Sequence, residues 1–240
     1  MNRRILITGA SGGLGQALAL ALAGPGAELI LTGRRIDALN YVADAVRSKG
    51  ATAQTHVLEL SSADDVLAFG KAIASGFTGF DVLIHNAAVI KLGLFAESAI
   101  TDLGWHYQAN VKAPVILTKC LLERIRQSRG QLVFINSAAG LLARKGFAFY
   151  AATKHAMKAI ADSLREELAP QGITVLSVFP SRMNTPMQER VLAMEGAAAN
   201  LNTFLQPENT AEIIVQAMER CRRGEISSVT MRVGKIPVFC

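Results

Sequence analysis

The sequence predicts an α/β protein: a doubly wound parallel sheet of about seven strands with helices on both faces. Three observations lead there. Short apolar runs alternate with longer stretches of helical period along the 240 residues. The runs are apolar throughout, as in strands covered on both faces. The first run ends in a glycine-rich turn, Thr8-Gly9-Ala10-Ser11-Gly12-Gly13-Leu14-Gly15, that opens a helix. Right-handed crossovers wind such a sheet both ways, and ligands bind at the carboxyl ends of its strands near the switch point.

Residues 4–8 (Arg-Ile-Leu-Ile-Thr) form the first strand, and Gly13 to Ala23 a helix stopped by Gly24-Pro25-Gly26. Glu28 to Thr32 is the second strand. A helix follows from Asp37, a plausible N-cap, to Lys49, with Gly50 as its stop. Strands at 53–58 and 80–85 flank a helix at 63–74. A long helical stretch covers 101–126, then a strand at 130–136, a helix at 149–169 stopped by Pro170 and Gly172, and a strand at 173–179. Pro207 to Arg222 is the last helix and Val229 to Val233 the last strand. With no repeat, linker or low-complexity tract, residues 1–240 read as one domain.

Composition narrows the function. Half the residues are hydrophobic and 18% charged, which excludes a disordered chain. No apolar run is long enough to span a membrane. Arg3-Arg4 precedes only three apolar residues before Thr8-Gly9, too few for a signal peptide. Cys120, Cys221 and Cys240 lack close spacing, so a reducing cytoplasm is expected, with Cys240 a free surface thiol. No Cys/His cluster has zinc-ligand spacing, and no metal is expected. The net charge of +6 is spread along the chain without aromatic interleaving, which suits an anionic cofactor better than nucleic acid.

The loops after the strands carry the chemistry. Glycines let the backbone approach a pyrophosphate, and the following helix N-terminus favours its charge. The bland alternative is a tight strand–helix turn. Gly33-Arg34-Arg35 follows the second strand, where an NAD enzyme would usually place a carboxylate; arginine suits a 2′-phosphate instead. This predicts NADP(H) over NAD(H), led by Arg34, against two merely solvated cations. After the fourth strand, His85-Asn86-Ala87-Ala88 offers small residues for close approach, with His85 read as a core histidine. Ser137, at the end of the fifth strand, suits either a bond to a substrate carbonyl or a turn cap.

Tyr150-Ala151-Ala152-Thr153-Lys154 puts a phenol and an ammonium on one helical face. A lysine cation ~4 Å from a phenol, at an effective dielectric of ~20, favours the phenolate by ~4 kcal/mol. That would lower a tyrosine pKa of ~10 by ~3 units, toward neutrality, making an acid/base pair. The competing reading is a snorkelling lysine beside an aromatic ring.

Together these residues resemble the short-chain dehydrogenase/reductase family in its single-domain form, over essentially the whole chain. Thr8, Gly9, Gly13 and Gly15 match its T-G-x-x-x-G-x-G. Residues 85–88 resemble its N-N-A-G, with His85 and Ala88 as replacements. Residues 180–185 resemble its P-G-x-x-x-T, with Ser181 for glycine, and an Asn-Ser-Tyr-Lys tetrad falls on Asn110, Ser137, Tyr150 and Lys154. The resemblance implies a Rossmann fold and hydride transfer between a nicotinamide and a ketone, aldehyde or secondary alcohol. It makes Tyr150 the proton donor, Ser137 the partner of the substrate oxygen, Lys154 the pKa modulator and ribose ligand, and Asn110 the holder of a water, where a kink cap is its structural alternative. The implied cofactor contacts are Gly9, Ser11, Gly13, Leu14, Gly15, Arg34, Arg35, Glu59, Leu60, Asn86, Ala87, Ala88, Pro180, Met183 and Thr185, with Tyr150 and Lys154. Glu59 stands where the family has an aspartate facing adenine.

Residues 184–206 are expected to form a substrate lid. Leu141, Phe147, Phe149, Met183 and Met187 either wall an apolar site or pack the core. The resemblance also implies a homodimer or homotetramer built through the helices at 101–126 and 149–169. A general carbonyl reductase competes with a 3-oxoacyl-carrier-protein reductase and with a non-catalytic NADP-binding sensor. An epimerase would need a further domain, and an enoyl reductase would place tyrosine where Ala148 stands.

Overall fold

The computed structural model describes residues 3–198 and 200–234; Cys240 lies outside them. Seven strands form the sheet: β1 (Arg3–Thr8), β2 (Ala27–Gly33), β3 (Thr52–Val57), β4 (Val82–His85), β5 (Gln131–Ile135), β6 (Thr174–Pro180) and β7 (Ser228–Met231). Their order is β3-β2-β1-β4-β5-β6-β7, with every pair parallel. The winding reverses between β1 and β4, so the crevice opens at their carboxyl ends.

The helices are α1 (Gly13–Leu22), α2 (Ile36–Ser48), α3 (Ala63–Gly76), α4 (Ile100–Tyr107), α5 (Ala113–Gln127), α6 (Ala148–Leu168), α7 (Pro186–Glu195) and α8 (Pro207–Arg222). Side chains alternate across a strand, so β1 feeds two cores. Ile5 and Ile7 pack with Leu18, Val42 and Ile214 on one face. Leu6 packs with Leu121, Ile125 and Met157 on the other. Each fully buried side chain of this kind contributes about 1.5–3 kcal/mol. The edge strand β3 departs from the doubly buried pattern: it is polar and partly exposed, which blunts its unpaired side.

Several expectations need correction. The helix over 101–126 is broken into α4, a wider π turn at Gln108–Lys112, and α5. Pro114 gives a physical reason. It has no N–H for the carbonyl of Asn110 four residues back, and its ring crowds that carbonyl. Asp37 is not an N-cap: α2 starts at Ile36, and Asp37 lies in the first turn, where its charge suits the helix dipole. The fourth strand begins at Val82 rather than Phe80. Residues 186–195 form α7, which starts at Pro186 under a Thr185 side-chain cap and ends at left-handed Gly196. Cys120 and Cys221 are free thiols, and among the described residues no helix is long and apolar enough to cross a membrane.

Candidate active site

A cleft of about 1210 Å³ opens at the carboxyl ends of the strands. Its floor is the turn between β1 and α1. Gly9 and Gly13 take left-handed φ values of 68° and 55°, which side-chain-bearing residues rarely adopt. At Gly15 a Cβ would collide with the Gly9 carbonyl and lie 2.6 Å from Asn86 Nδ2. Gly15 therefore lets α1 close on the turn from behind and does not itself line the cleft. Asn86 Nδ2 donates to the carbonyls of Thr8 (3.0 Å) and Gly9 (3.1 Å), so this side chain shapes the turn. Thr8 Oγ1 in turn accepts the N–H groups of Asn86 and Ala87. The cradle fits a dinucleotide: open at Gly12, where a Cβ would meet nothing within 4 Å, and tight behind.

Ser11, Leu14, Arg34, Arg35, Glu59, Leu60, Ala87, Ala88, Pro180, Met183 and Thr185 also line the cleft. Arg34 and Arg35 are exposed and form no ion pair among the described residues. Burial alone would raise the Glu59 carboxyl pKa. The Ser61 N–H and hydroxyl, together with the Arg34 charge, outweigh it and hold Glu59 below the usual range. Six arginines and Lys154 line the cleft against two glutamates, which concentrates the chain's positive charge where an anion would bind. Ala88 and Ser181 adopt ordinary backbone: among the described residues the one non-glycine with positive φ is Arg129. Losing glycine at both positions thus costs no strain.

Tyr150 and Lys154 face the cleft from the first turns of α6, 7% and 4% exposed. Lys154 Nζ lies 5.7 Å from the Tyr150 ring centroid and donates to the Ile135 carbonyl at 3.2 Å. The expected depression of the phenol pKa is absent. Burial pushes Tyr150 up to about 12, a rise opposed by the nearby Ser137 side chain. Burial also pulls Lys154 down to about 8. Both charged forms are penalised because burial strips them of water. Ser137 caps the turn after β5, accepting the Ala139 N–H at 3.1 Å, so the hydroxyl proton stays free to donate.

Asn110 does not line the cleft. Its side chain clamps Val89, accepting from the Val89 N–H (2.8 Å) and donating to the Val89 carbonyl (2.9 Å), and it also donates to Thr153 Oγ1 (3.2 Å). Thr153 Oγ1 donates to the Tyr150 carbonyl at 2.7 Å. Asn136, overlooked in the sequence, donates to the Lys154 carbonyl (3.0 Å) and accepts the Ser137 N–H (2.9 Å), joining β5 to α6. Its signal was an asparagine directly before Ser137 at a strand end. His85 lies outside the cleft as expected: buried, stacked on Phe134, bonded to Thr118 and pushed by burial down to about 3.

Residues 3–196 match the short chain dehydrogenase family. An uncharacterised oxidoreductase of Staphylococcus epidermidis is 31% identical over 233 residues, 95% of each chain. Gluconate 5-dehydrogenase of Gluconobacter oxydans is 32% identical over 193 residues, 80% of this chain and 75% of its own. A solved short chain dehydrogenase of Escherichia coli complexed with NADPH has a TM-score of 0.83 at 27% identity, covering 96% of this chain and 95% of its own. The chain belongs to the short-chain dehydrogenase family and is an NAD(P)-dependent dehydrogenase/reductase.

Proposed function

We propose that this protein is an NADP(H)-dependent carbonyl reductase or alcohol dehydrogenase acting on a ketone, an aldehyde or a secondary alcohol. One observation carries the reading: Tyr150, Lys154 and Ser137 converge on the cleft that the glycine turn floors. When bound, the nicotinamide supplies or accepts the hydride. The chain supplies the rest. A phenol with a pKa near 12 stays protonated at neutral pH, so Tyr150 is set to donate its Oη proton to the carbonyl oxygen as hydride reaches the carbon. The phenolate left behind faces Lys154, whose cation offsets it. The Ser137 hydroxyl donates a hydrogen bond to the same oxygen and keeps its proton. With the Asn110 side chain engaged and Pro114 unable to donate to its carbonyl, that carbonyl is the atom of Asn110 best suited to hold a water toward Lys154.

The NADP preference is supported by the unpaired, exposed Arg34 and Arg35, and by the NADPH carried by the Escherichia coli relative. Leu141, Leu142, Phe147, Met187 and Phe204 line the cleft and suit a hydrophobic carbonyl compound. The segment 184–206 serves as the substrate lid of a single domain. Exposed Ile100, Trp105 and Tyr107 on α4 suit a homodimer or homotetramer, which light scattering tests. Free thiols suit the cytoplasm. Exposed Arg144 at the cleft favours, as second reading, a 3-oxoacyl thioester on an acidic carrier.

NADPH absorbance, followed against a carbonyl panel that includes an acyl thioester, tests the proposal. Tyr150→Phe is expected to lose about 10²–10⁴ of turnover while NADPH binding holds. Turnover kept within a few-fold would sink the proton-donor role. Tight NADPH binding without oxidation by any substrate would favour the non-catalytic sensor.

A further inference from the structure

We propose that His106 is a positioning residue for this site: its neutral ring pins the loop between β4 and α4, which forms one wall of the cleft, against the helix that carries Tyr150. His106 is fully buried near the end of α4. Its Nε2 lies 3.0 Å from the Lys91 backbone nitrogen and its Nδ1 lies 2.7 Å from the Asp102 carbonyl oxygen. A backbone N–H can only donate, so Nε2 must accept; a carbonyl can only accept, so Nδ1 must carry the proton. The two bonds therefore define one neutral tautomer.

The loop is stitched from behind at alternate residues. Asn110 holds Val89, His106 holds Lys91, and the Gly146 carbonyl accepts the Gly93 N–H at 3.1 Å. Val89, the first stitched residue, and Ile90, between the first two stitches, line the cleft. The His106 ring meets the Tyr150 ring edge-on at 6.5 Å between centroids. One imidazole thus fixes the cleft wall relative to the phenol.

The charged and titratable groups facing it are Asp102 on its own helix, Lys91 on the loop and Tyr150 on α6. Lys91 Nζ is itself paired with the Asp102 carboxylate at 2.8 Å. Burial lowers the His106 pKa, the Asp102 carbonyl and charge oppose this, and the Lys91 charge adds to it. Protonation would turn Nε2 into a donor facing the Lys91 N–H and break the stitch. Acidification below the usual histidine range of about 6.5 is therefore expected to free the loop.

The test uses His106→Leu and His106→Gln, the glutamine keeping an oxygen acceptor for Lys91 without titrating. Hydrogen exchange of the Lys91 amide, corrected for its intrinsic pH dependence, is read without substrate. It is expected to speed up in His106→Leu and in the wild type as pH falls below the usual histidine range, and to stay slow in His106→Gln. His106→Leu is expected to raise KM for the carbonyl about tenfold, the scale of one lost hydrogen bond, with NADPH affinity within about twofold and KM rescued by glutamine. Lys91 exchange that ignores both pH and substitution would overturn the proposal, as would a glutamine variant as impaired as leucine. The KM arm rests on the proposed carbonyl chemistry and the exchange arm does not, so a failure of that chemistry leaves the exchange to decide. If the leucine variant does not fold, wild-type and His106→Gln exchange against pH still decide.

Discussion

The two halves of the cleft are built by different means. Around the glycine turn, main chain packs on main chain, with left-handed glycines and the Gly15 backbone of α1 against the Gly9 carbonyl, and the Asn86 side chain adds bonds to two carbonyls. On the other side, main-chain bonds join the flanks of α7, Asn184 N–H to the Leu205 carbonyl at 2.8 Å and Leu205 N–H to the Arg182 carbonyl at 3.1 Å, and side chains add further ties. Arg182 bonds both carboxylate oxygens of Glu195 at 2.7 Å, Asn184 bonds Gln206 at 3.0 Å, and the Leu92 N–H points at Met194 Sδ at 3.4 Å. Main-chain packing tolerates almost no substitution, whereas side-chain ties are replaced one at a time. Substitution is thus expected to cost more at the glycine turn than on the α7 side.

Substitutions can break this contrast or sharpen it. The largest effect is expected from Gly15→Ala, whose Cβ has no room; unfolding by denaturant should show a loss of about 3 kcal/mol or more, with NADPH binding lost alongside. A mild effect would mean that the turn yields as easily as the lid. At the seam, burial has pulled Lys154 from its ordinary 10.5 to about 8. The fold prefers the neutral amine, so the penalty is fully present below pH 8 and fades as pH rises through about 10.5, a window of 2.5 units or on the order of 3 kcal/mol. Lys154→Met is accordingly expected to raise the denaturation midpoint at pH 7 while abolishing turnover. Tyr150 has the opposite sign: its buried neutral phenol supports the fold up to pH 10, and this support is lost between about 10 and 12.

Arg34→Asp is expected to weaken NADPH binding by about ten- to a hundredfold, with NADH little affected. Equal losses for both cofactors would reduce Arg34 to a solvated cation. The smallest effect belongs to Glu195→Gln, which removes a half-exposed ion pair worth about 1 kcal/mol or less. A few-fold rise in KM at constant kcat would mark the pair as a tie that holds α7 over the substrate.

Much of this was legible in the chain. The alternation of apolar runs and helical periods specified the sheet, because strands covered on both faces must be apolar throughout. The glycine turn was legible because only glycine tolerates its φ values. Residues 186–195 were not, since α7 has only a weak apolar face and relies on a Thr185 cap and contacts with distant loops. The break at 108–112 was written in Pro114, four residues after Asn110, yet its consequence, an inward Asn110 clamping Val89, depends on a loop twenty-one residues away.

By itself the sequence determined which groups share a helical turn and which turn can cradle a phosphate, since both follow from local backbone geometry. Only the tertiary structure decided their electrostatics. Tyr150 and Lys154 are one turn apart in any helix, and their spacing alone argued for a lowered phenol pKa. Burial against β5 and the cleft wall reversed that sign, because desolvation is set by what packs around a group and not by its neighbours in the chain.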